Sequence, residues 1–220
     1  MQPPVTLTPA KKISMAIIAC TAWFALVLQL YIMLVRAPSI GITAINTIIN
    51  FFSFFTILSN LLIAVTLSFS LLSPASRVGL FFSRPSVQSA IALYIFIVGL
   101  VYNLVLRNLW TPTGTQLIVD NLLHVAVPVL YVLFWFIFIP KGILHWKNGI
   151  PWLLFPFVYL FYSMIRGAFT NWYPYPFLNA TELGYSKVLL NITMMIAAFL
   201  VVGLLLIAIN RSMKRNDSLK

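Results

Sequence analysis

Long apolar stretches, separated by short polar segments, occur six times along the chain. Each stretch has roughly 17 residues or more, which is enough for an α-helix to cross the hydrocarbon core of a bilayer. Helices are expected, because an open sheet edge in lipid would leave main-chain polar groups without partners. The pattern predicts an all-α membrane helix bundle, a single domain over residues 1–220, with transmembrane helices at about 13–35, 44–72, 87–108, 117–139, 150–167 and 186–209.

The composition supports a membrane protein and leaves little chain for a soluble domain. Hydrophobic residues make up 61% of the sequence and charged residues 8%, whereas soluble domains carry roughly 25% charged residues. The net charge of +11 would suggest nucleic-acid binding in a soluble protein. Here the basic residues lie in loops and tails, so they indicate topology and contact with anionic membrane lipids, and no nucleic-acid partner is expected.

The distribution of loop charges predicts the orientation of the chain. Basic loops are retained in the cytoplasm, and ten basic residues lie on the side of both termini, against four on the other side. Both termini are therefore predicted to be cytoplasmic. The ten residues are Lys11, Lys12, Arg77, Arg84, Lys141, Lys147, Arg211, Lys214, Arg215 and Lys220, and the four are Arg36, Arg107, Arg166 and Lys187.

Polar residues recur along the predicted second span at steps of three or four. They are Asn46, Asn50, Ser53, Thr56 and Asn60. This spacing places them on one face of a continuous helix. Single residues of this kind commonly hydrogen-bond between membrane helices, but five on one face indicate a polar site. The hydroxyl groups of Thr56, Ser53 and the neighbouring Ser59 are its candidate nucleophiles.

The predicted fourth span carries an acidic residue and a histidine. Asp120 and His124 are four residues apart, so the carboxylate can reach the imidazole, fix its tautomer and stabilise an imidazolium. Ionisable groups at membrane depth usually mark function, and the alternative is a structural pair that braces the bundle. Pro128 removes the N–H that would bond to the His124 carbonyl, so the helix is expected to kink there.

Two arginines are predicted on the same side of the membrane as Asp120. Arg107 follows Asn103 by one turn, and Arg166 shares a helix face with Tyr162. A guanidinium group there either pairs with Asp120 or Glu182 or binds an anionic head group such as a carboxylate or phosphate. The alternative is that each arginine extends to the membrane interface.

Several kinds of chemistry are not expected. The single cysteine, Cys20, excludes an internal disulfide and a thiolate metal cluster. His145 lies in a loop on the opposite side from His124, which disfavours a bis-histidine haem site. No metal or cofactor is therefore expected. The oligomeric state stays open, and the small number of polar residues at membrane depth is compatible with a monomer.

Three segments resemble the bacterial branch of the androgen-induced protein family. They are FFTILSN (54–60), DNLLHVAVP (120–128) and YSMIRGAFTNWYPYPF (162–177). The resemblance implies six spans with cytoplasmic termini, here in a bacterial inner membrane. It also implies an intramembrane threonine hydrolase that cleaves fatty acid esters of hydroxy fatty acids, with Thr56 as nucleophile and His124 as its partner. Asp120 lies outside the shared pair, so its role depends on spacing alone.

The residues and the resemblance together predict an intramembrane lipid ester hydrolase. His124 would take the Thr56 proton, and the oxygen would attack an ester carbonyl. Asn60, Ser53 or a main-chain group near Pro128 would hold the oxyanion. Three further assignments belong to the same site: Asn50 as polar support, Arg107 or Arg166 as ligand of the substrate carboxylate, and Asn103 and Tyr162 beside them. Two alternatives stay open, a lipid acyltransferase with the same site and a non-enzymatic lipid or small-molecule carrier.

Overall fold

The computed structural model describes residues 7–213, and this part of the chain is helical with no β-strand. Lys214, Arg215 and Lys220, which contribute to the predicted cytoplasmic charge, lie outside the described residues. The α-helices are α1 (Pro9–Arg36), α2 (Ala44–Phe52), α3 (Phe55–Leu72), α4 (Arg77–Phe82), α5 (Pro85–Val101), α6 (Gly114–Asn121), α7 (Val127–Phe138), α8 (Gly149–Trp152), α9 (Leu154–Thr170), α10 (Ala180–Leu183) and α11 (Tyr185–Ser212).

Six helical segments of residues 7–213 are long and apolar enough to cross a membrane. They are Pro9–Ile40, Phe55–Leu72, Pro85–Leu109, Gly114–Phe138, Trp146–Thr170 and Tyr185–Ser212. The prediction of an all-α membrane protein with six spans is thus confirmed. The chain is a multi-pass membrane protein.

The second span differs from the prediction of one continuous helix over 44–72. α2 ends at Phe52, and α3 begins at Phe55. The carbonyl of Ser53, between them, accepts a hydrogen bond from Tyr159 Oη at 3.0 Å, so a side chain replaces the usual helical donor. Aromatic residues and serine have moderate helix propensity, and the run FFSFF offers little to resist the break. The single polar face predicted from Asn46 to Asn60 is therefore wrong.

The described residues fall into two compact units by their internal contacts. Among residues 7–213, the first comprises residues 7–51 and Thr56–Ile139, and the second comprises Phe52–Phe55 and residues 140–213. Whether both belong to one membrane domain, as the sequence predicts, stays a prediction.

In the first unit, small residues allow helices to pack closely. The α1 side chains Ala19, Ala22 and Ala25 are buried, and α1 packs against α7. Gly99 of α5 faces Pro128 of α7, where an added Cβ would lie 3.4 Å from the proline Cβ. Small residues at such contacts are typical of membrane helices, which associate through close packing in lipid.

Two π-helical segments interrupt the helices of the first unit. Tyr102–Leu106 continues α5, and Leu122–Ala126 joins α6 to α7. The second segment contains His124 and ends just before Pro128, which is where the sequence predicts a distortion. Single turns of π-helix are frequent at functional sites, and here each one widens the backbone beside the same pair of side chains, Tyr102 and His124.

In the second unit, one asparagine organises the loop after α7. Asn210 of α11 is fully buried; its Nδ2 donates to the Pro140 carbonyl at 2.9 Å, and its Oδ1 accepts from the N–H groups of Ile143 and Leu144. Phe55 packs in this unit against the rings of Phe155, Tyr159 and Phe199.

Candidate functional site

The first unit contains a pair formed by the buried Asp120 and the partly exposed His124. His124 Nδ1 lies 3.0 Å from the main-chain carbonyl oxygen of Asp120 and 3.2 Å from its carboxylate Oδ1. Only the carbonyl contact has hydrogen-bond geometry, because Oδ1 makes no hydrogen bond. A carbonyl oxygen can only accept, so Nδ1 carries the hydrogen and Nε2 of the neutral ring carries the lone pair. The contact predicted from the spacing is present, but the carbonyl and not the carboxylate fixes the tautomer.

Tyr102 completes this pair, and sequence reasoning missed it. Its hydroxyl donates a hydrogen bond to Asp120 Oδ2, and its ring stacks on the imidazole of His124 with centroids 3.9 Å apart and planes inclined by 14°. Asp120 is 3% exposed, so its carboxylate depends on these two neighbours for compensation. The contact joins two helices, and no periodicity within one helix could have revealed it.

Arg107 and Asn103 form a second polar pair at the end of the first π segment. Arg107 Nη1 donates to Asn103 Oδ1 at 2.8 Å, and Asn103 Nδ2 donates to the Gly99 carbonyl at 2.8 Å. Both side chains are exposed. Arg107 therefore pairs with Asn103, and not with Asp120, which was one of its expected partners.

An apolar groove of about 350 Å³ runs along α5 and α7 beside these polar pairs. Its walls include large side chains that are about half exposed, such as Val129 and Leu133 at 51% each, so it opens at the surface of the helices. Among the described residues that line it, only His124 and Asn103 carry polar side-chain groups. Because Nδ1 of His124 is engaged by Asp120, Nε2 is the ring nitrogen that can serve a molecule in the groove.

Thr56, the predicted nucleophile, is buried in the same unit at the second position of α3. Asn60 Nδ2 donates to the Thr56 carbonyl at 2.8 Å and to the Leu123 carbonyl at 3.2 Å. This asparagine therefore links the start of α3 to the π segment that carries His124. The described contacts of His124 are with Asp120 and Tyr102, so proton transfer between Thr56 and His124 stays a prediction.

The side chain of Asn60 is poorly suited to the oxyanion role that the sequence suggested. Both hydrogens of its amide are used by main-chain carbonyls, and its Oδ1, which has no partner among the described residues, can only accept. Asn50, predicted as polar support, lies half-buried in α2, before the break in the second span.

The second unit contains a separate polar cluster at the break before α3. Ser53 is 1% exposed; its Oγ lies 2.8 Å from Tyr162 Oη and accepts from Arg166 Nη1 at 3.0 Å. The Arg166 guanidinium also lies over the ring of Trp172, 4.2 Å from its centroid. We call Ser53, Tyr162, Arg166 and Trp172 the arginine cluster. Three predicted site residues thus meet here, and the cluster has the donors to bind a single anionic group.

No group of three or more His, Cys, Asp or Glu side chains that could hold a metal ion occurs within residues 7–213. A scan against protein-family models, a search of curated proteins and a search of solved structures all found no match for this chain. The resemblance to the androgen-induced protein family therefore stays a prediction.

Proposed function

We propose that this protein is an intramembrane hydrolase of lipid esters, in which His124 acts as general base and Thr56 as nucleophile. The observation that carries the proposal is the environment of His124. Its ring is held through Nδ1, its Nε2 is the basic nitrogen, and the residue lines an apolar groove that opens at the surface of a membrane-spanning helix pair. A base in this position suits a substrate that is largely apolar and enters from the bilayer.

The reaction follows from ordinary acyl-transfer chemistry. His124 Nε2 takes the proton of the Thr56 hydroxyl while Oγ1 attacks the ester carbonyl, and the imidazolium returns the proton to the departing alcohol. Water then cleaves the acyl-threonine by the same route and releases the fatty acid. The Asp120 carboxylate, 3.2 Å from Nδ1, stabilises the imidazolium in both steps.

The reaction requires Thr56 Oγ1 and His124 Nε2 to come within hydrogen-bond distance. Asn60 supports such an approach, because the Thr56 and Leu123 carbonyl oxygens both bond to its Nδ2. Thr56 also lies in the first turn of α3, where the positive end of the helix dipole favours negative charge. We assign the oxyanion to this turn, since the amide hydrogens of Asn60 are committed.

We place the protein in a bacterial inner membrane with both termini in the cytoplasm, and we take fatty acid esters of hydroxy fatty acids or related lipid esters as its substrates. The excess of basic residues on the side of the termini supports this orientation. The three segments that resemble the androgen-induced protein family support the substrate class.

Covalent labelling of the purified protein with a fluorophosphonate tests the proposal. Labelling should occur in the wild type and be lost in Thr56→Ala and His124→Ala. Ser53→Ala and Ser59→Ala should still react, because these hydroxyls are not the nucleophile. Thr66→Ala is the matched control, since Thr66 is a buried threonine of the same helix. Unchanged labelling of a folded Thr56→Ala protein would refute the assignment of the nucleophile.

A second candidate, a lipid carrier without covalent chemistry, is favoured by the same groove, which can hold an apolar molecule whether or not His124 acts as a base. It predicts no labelling of the folded wild type and ligand-dependent flux in liposomes. The acyltransferase alternative keeps the labelling but predicts that an added alcohol receives the acyl group, which product analysis detects.

A further inference from the structure

We infer that the groove between α5 and α7 is the site for one acyl chain, with its carboxyl end beside His124 and its tail toward Leu133. The inference deepens the proposed function and rests on it for the identity of the carbonyl as an ester. All the residues that line the groove belong to the first unit.

The distribution of polarity along the groove gives the direction of the chain. His124 and Asn103 both lie at one end, and the exposed Arg107 bonds to Asn103 at that end. Toward the other end the lining is apolar, with Phe96 from α5 and Leu133 from α7. An acyl chain has the same polarity, a single polar carbonyl followed by methylenes. The carbonyl therefore belongs at the His124 end.

The length of the groove defines how much chain it holds. From Val125 to Leu133 the lining extends over eight helical residues, or about 12 Å. An extended peptide rises about 3.5 Å for three backbone bonds, so an extended hydrocarbon advances about 1.2 Å per bond, and the groove covers about ten bonds. Longer chains would leave the groove at Leu133 and continue among the bilayer lipids.

Selectivity must come from fit, because transfer of a chain from lipid into an apolar groove removes no surface from water. Gly99 and Pro128 provide that fit. Gly99 has no side chain, and an added Cβ there would lie 3.4 Å from the proline Cβ, so the glycine keeps this part of the groove open to a chain.

A ladder of tryptophan substitutions along α7 tests the inference. Val129, Leu133 and Ile137 follow each other by one turn and are 51%, 51% and 69% exposed, so a larger side chain at each position is accommodated without disturbing the core. The first two line the groove, and Ile137 lies beyond its end. The four residues between successive positions correspond to about 6 Å, or roughly five bonds of an extended chain.

The readout is hydrolysis of butanoyl and decanoyl esters of the same alcohol. Val129→Trp should lower the decanoyl-to-butanoyl ratio of kcat/KM by about tenfold or more, since filling an occupied space is costly. Leu133→Trp should lower it less, and Ile137→Trp should leave it unchanged. Equal ratios in all three variants, with folding verified, would overturn the inference.

A binding measurement separates failure of this inference from failure of the proposed function. A diazirine-bearing decanoic acid, photolysed with the purified protein, should label groove residues, with competition by excess decanoic acid and loss of that labelling in Val129→Trp but not in Ile137→Trp. This result in a protein that hydrolyses no ester would refute the hydrolase and retain the chain site. Labelling without competition, spread over the lipid-facing surfaces, would show bilayer contact only and refute the site.

Discussion

The His124 site and the arginine cluster solve the same problem, a charged group in an apolar span, in opposite ways. In the first, a buried carboxylate is balanced by an imidazole and a tyrosine hydroxyl, and one ring nitrogen is left for a proton. In the second, a guanidinium donates to a serine hydroxyl and lies over an indole ring, and arginine keeps its charge in proteins. The first arrangement suits acid–base chemistry, and the second suits anion binding or simple support.

The largest effect that sharpens this contrast is expected at Asp120. Asp120→Asn removes the charge that stabilises the imidazolium but keeps the main-chain carbonyl that fixes the tautomer. We expect kcat to fall by about a hundredfold, less than the roughly 10⁴-fold loss known where a carboxylate alone orients the base. Ester hydrolysis by the purified variant measures it. A wild-type kcat would mean that the carboxylate serves structure only.

In the second unit, the largest expected effect is on stability and not on chemistry. A Cβ at Gly167 would overlap the ring of Tyr173, so Gly167→Ala should lower the free energy of unfolding by about 1–3 kcal/mol. Thermal unfolding in detergent measures this loss. Tyr173→Ala in the same chain removes the obstacle, so the double variant should lose less than the two single losses added together; simple additivity would contradict the clash.

A loss of stability of similar size is expected at Ser53. Ser53→Ala removes one acceptor from Arg166 and one partner from Tyr162, and the loss of hydrogen bonds to a charged group should cost about 1.5–3 kcal/mol of stability. Turnover should be unchanged if the arginine cluster supports the fold, and KM for substrates with a free carboxylate should rise if it binds them. A change in kcat with unchanged KM would fit neither role and would move Ser53 into the chemistry.

The smallest effect concerns a cation of the second unit outside the spans. Burial lowers the pKa of the Lys141 ammonium from 10.5 to about 8. The unfolded chain binds this proton more tightly than the folded chain does. Burial of the lysine therefore lowers the free energy of unfolding by its full amount below about pH 8, and by progressively less as pH rises toward 10.5. Acylation of Lys141 by an amine-reactive reagent, followed by mass spectrometry, should reach half its maximal rate near pH 8. Half-maximal reaction near pH 10.5 would show that the amine is solvated.

Local patterns in the sequence predicted the spans and the contact between Asp120 and His124, because both depend on spacing within one helix. The break before α3 depends instead on Tyr159, a donor about a hundred residues away in sequence. The same is true of Tyr102, whose ring and hydroxyl reach a different helix. Patterns of residues within a helix show which side chains share a face. They do not show which distant group will bond to a carbonyl or a carboxylate. Here the bond from Tyr159 to the Ser53 carbonyl accompanies the break that assigns Ser53 to the second unit and Thr56 to the first.

The bond between Tyr102 and Asp120 also bears on how the protein enters the membrane. An aspartate costs roughly 2.5–3.5 kcal/mol at the centre of a span on the biological insertion scale, and part of that cost six residues inside a span, where Asp120 lies. Tyr102 lies in the preceding span, which ends at Leu109, and the span with Asp120 starts at Gly114. The hydroxyl donor is thus synthesised before the carboxylate. The two spans are therefore suited to insertion as a helical hairpin, in which the carboxylate gains a hydrogen-bond donor from its partner helix.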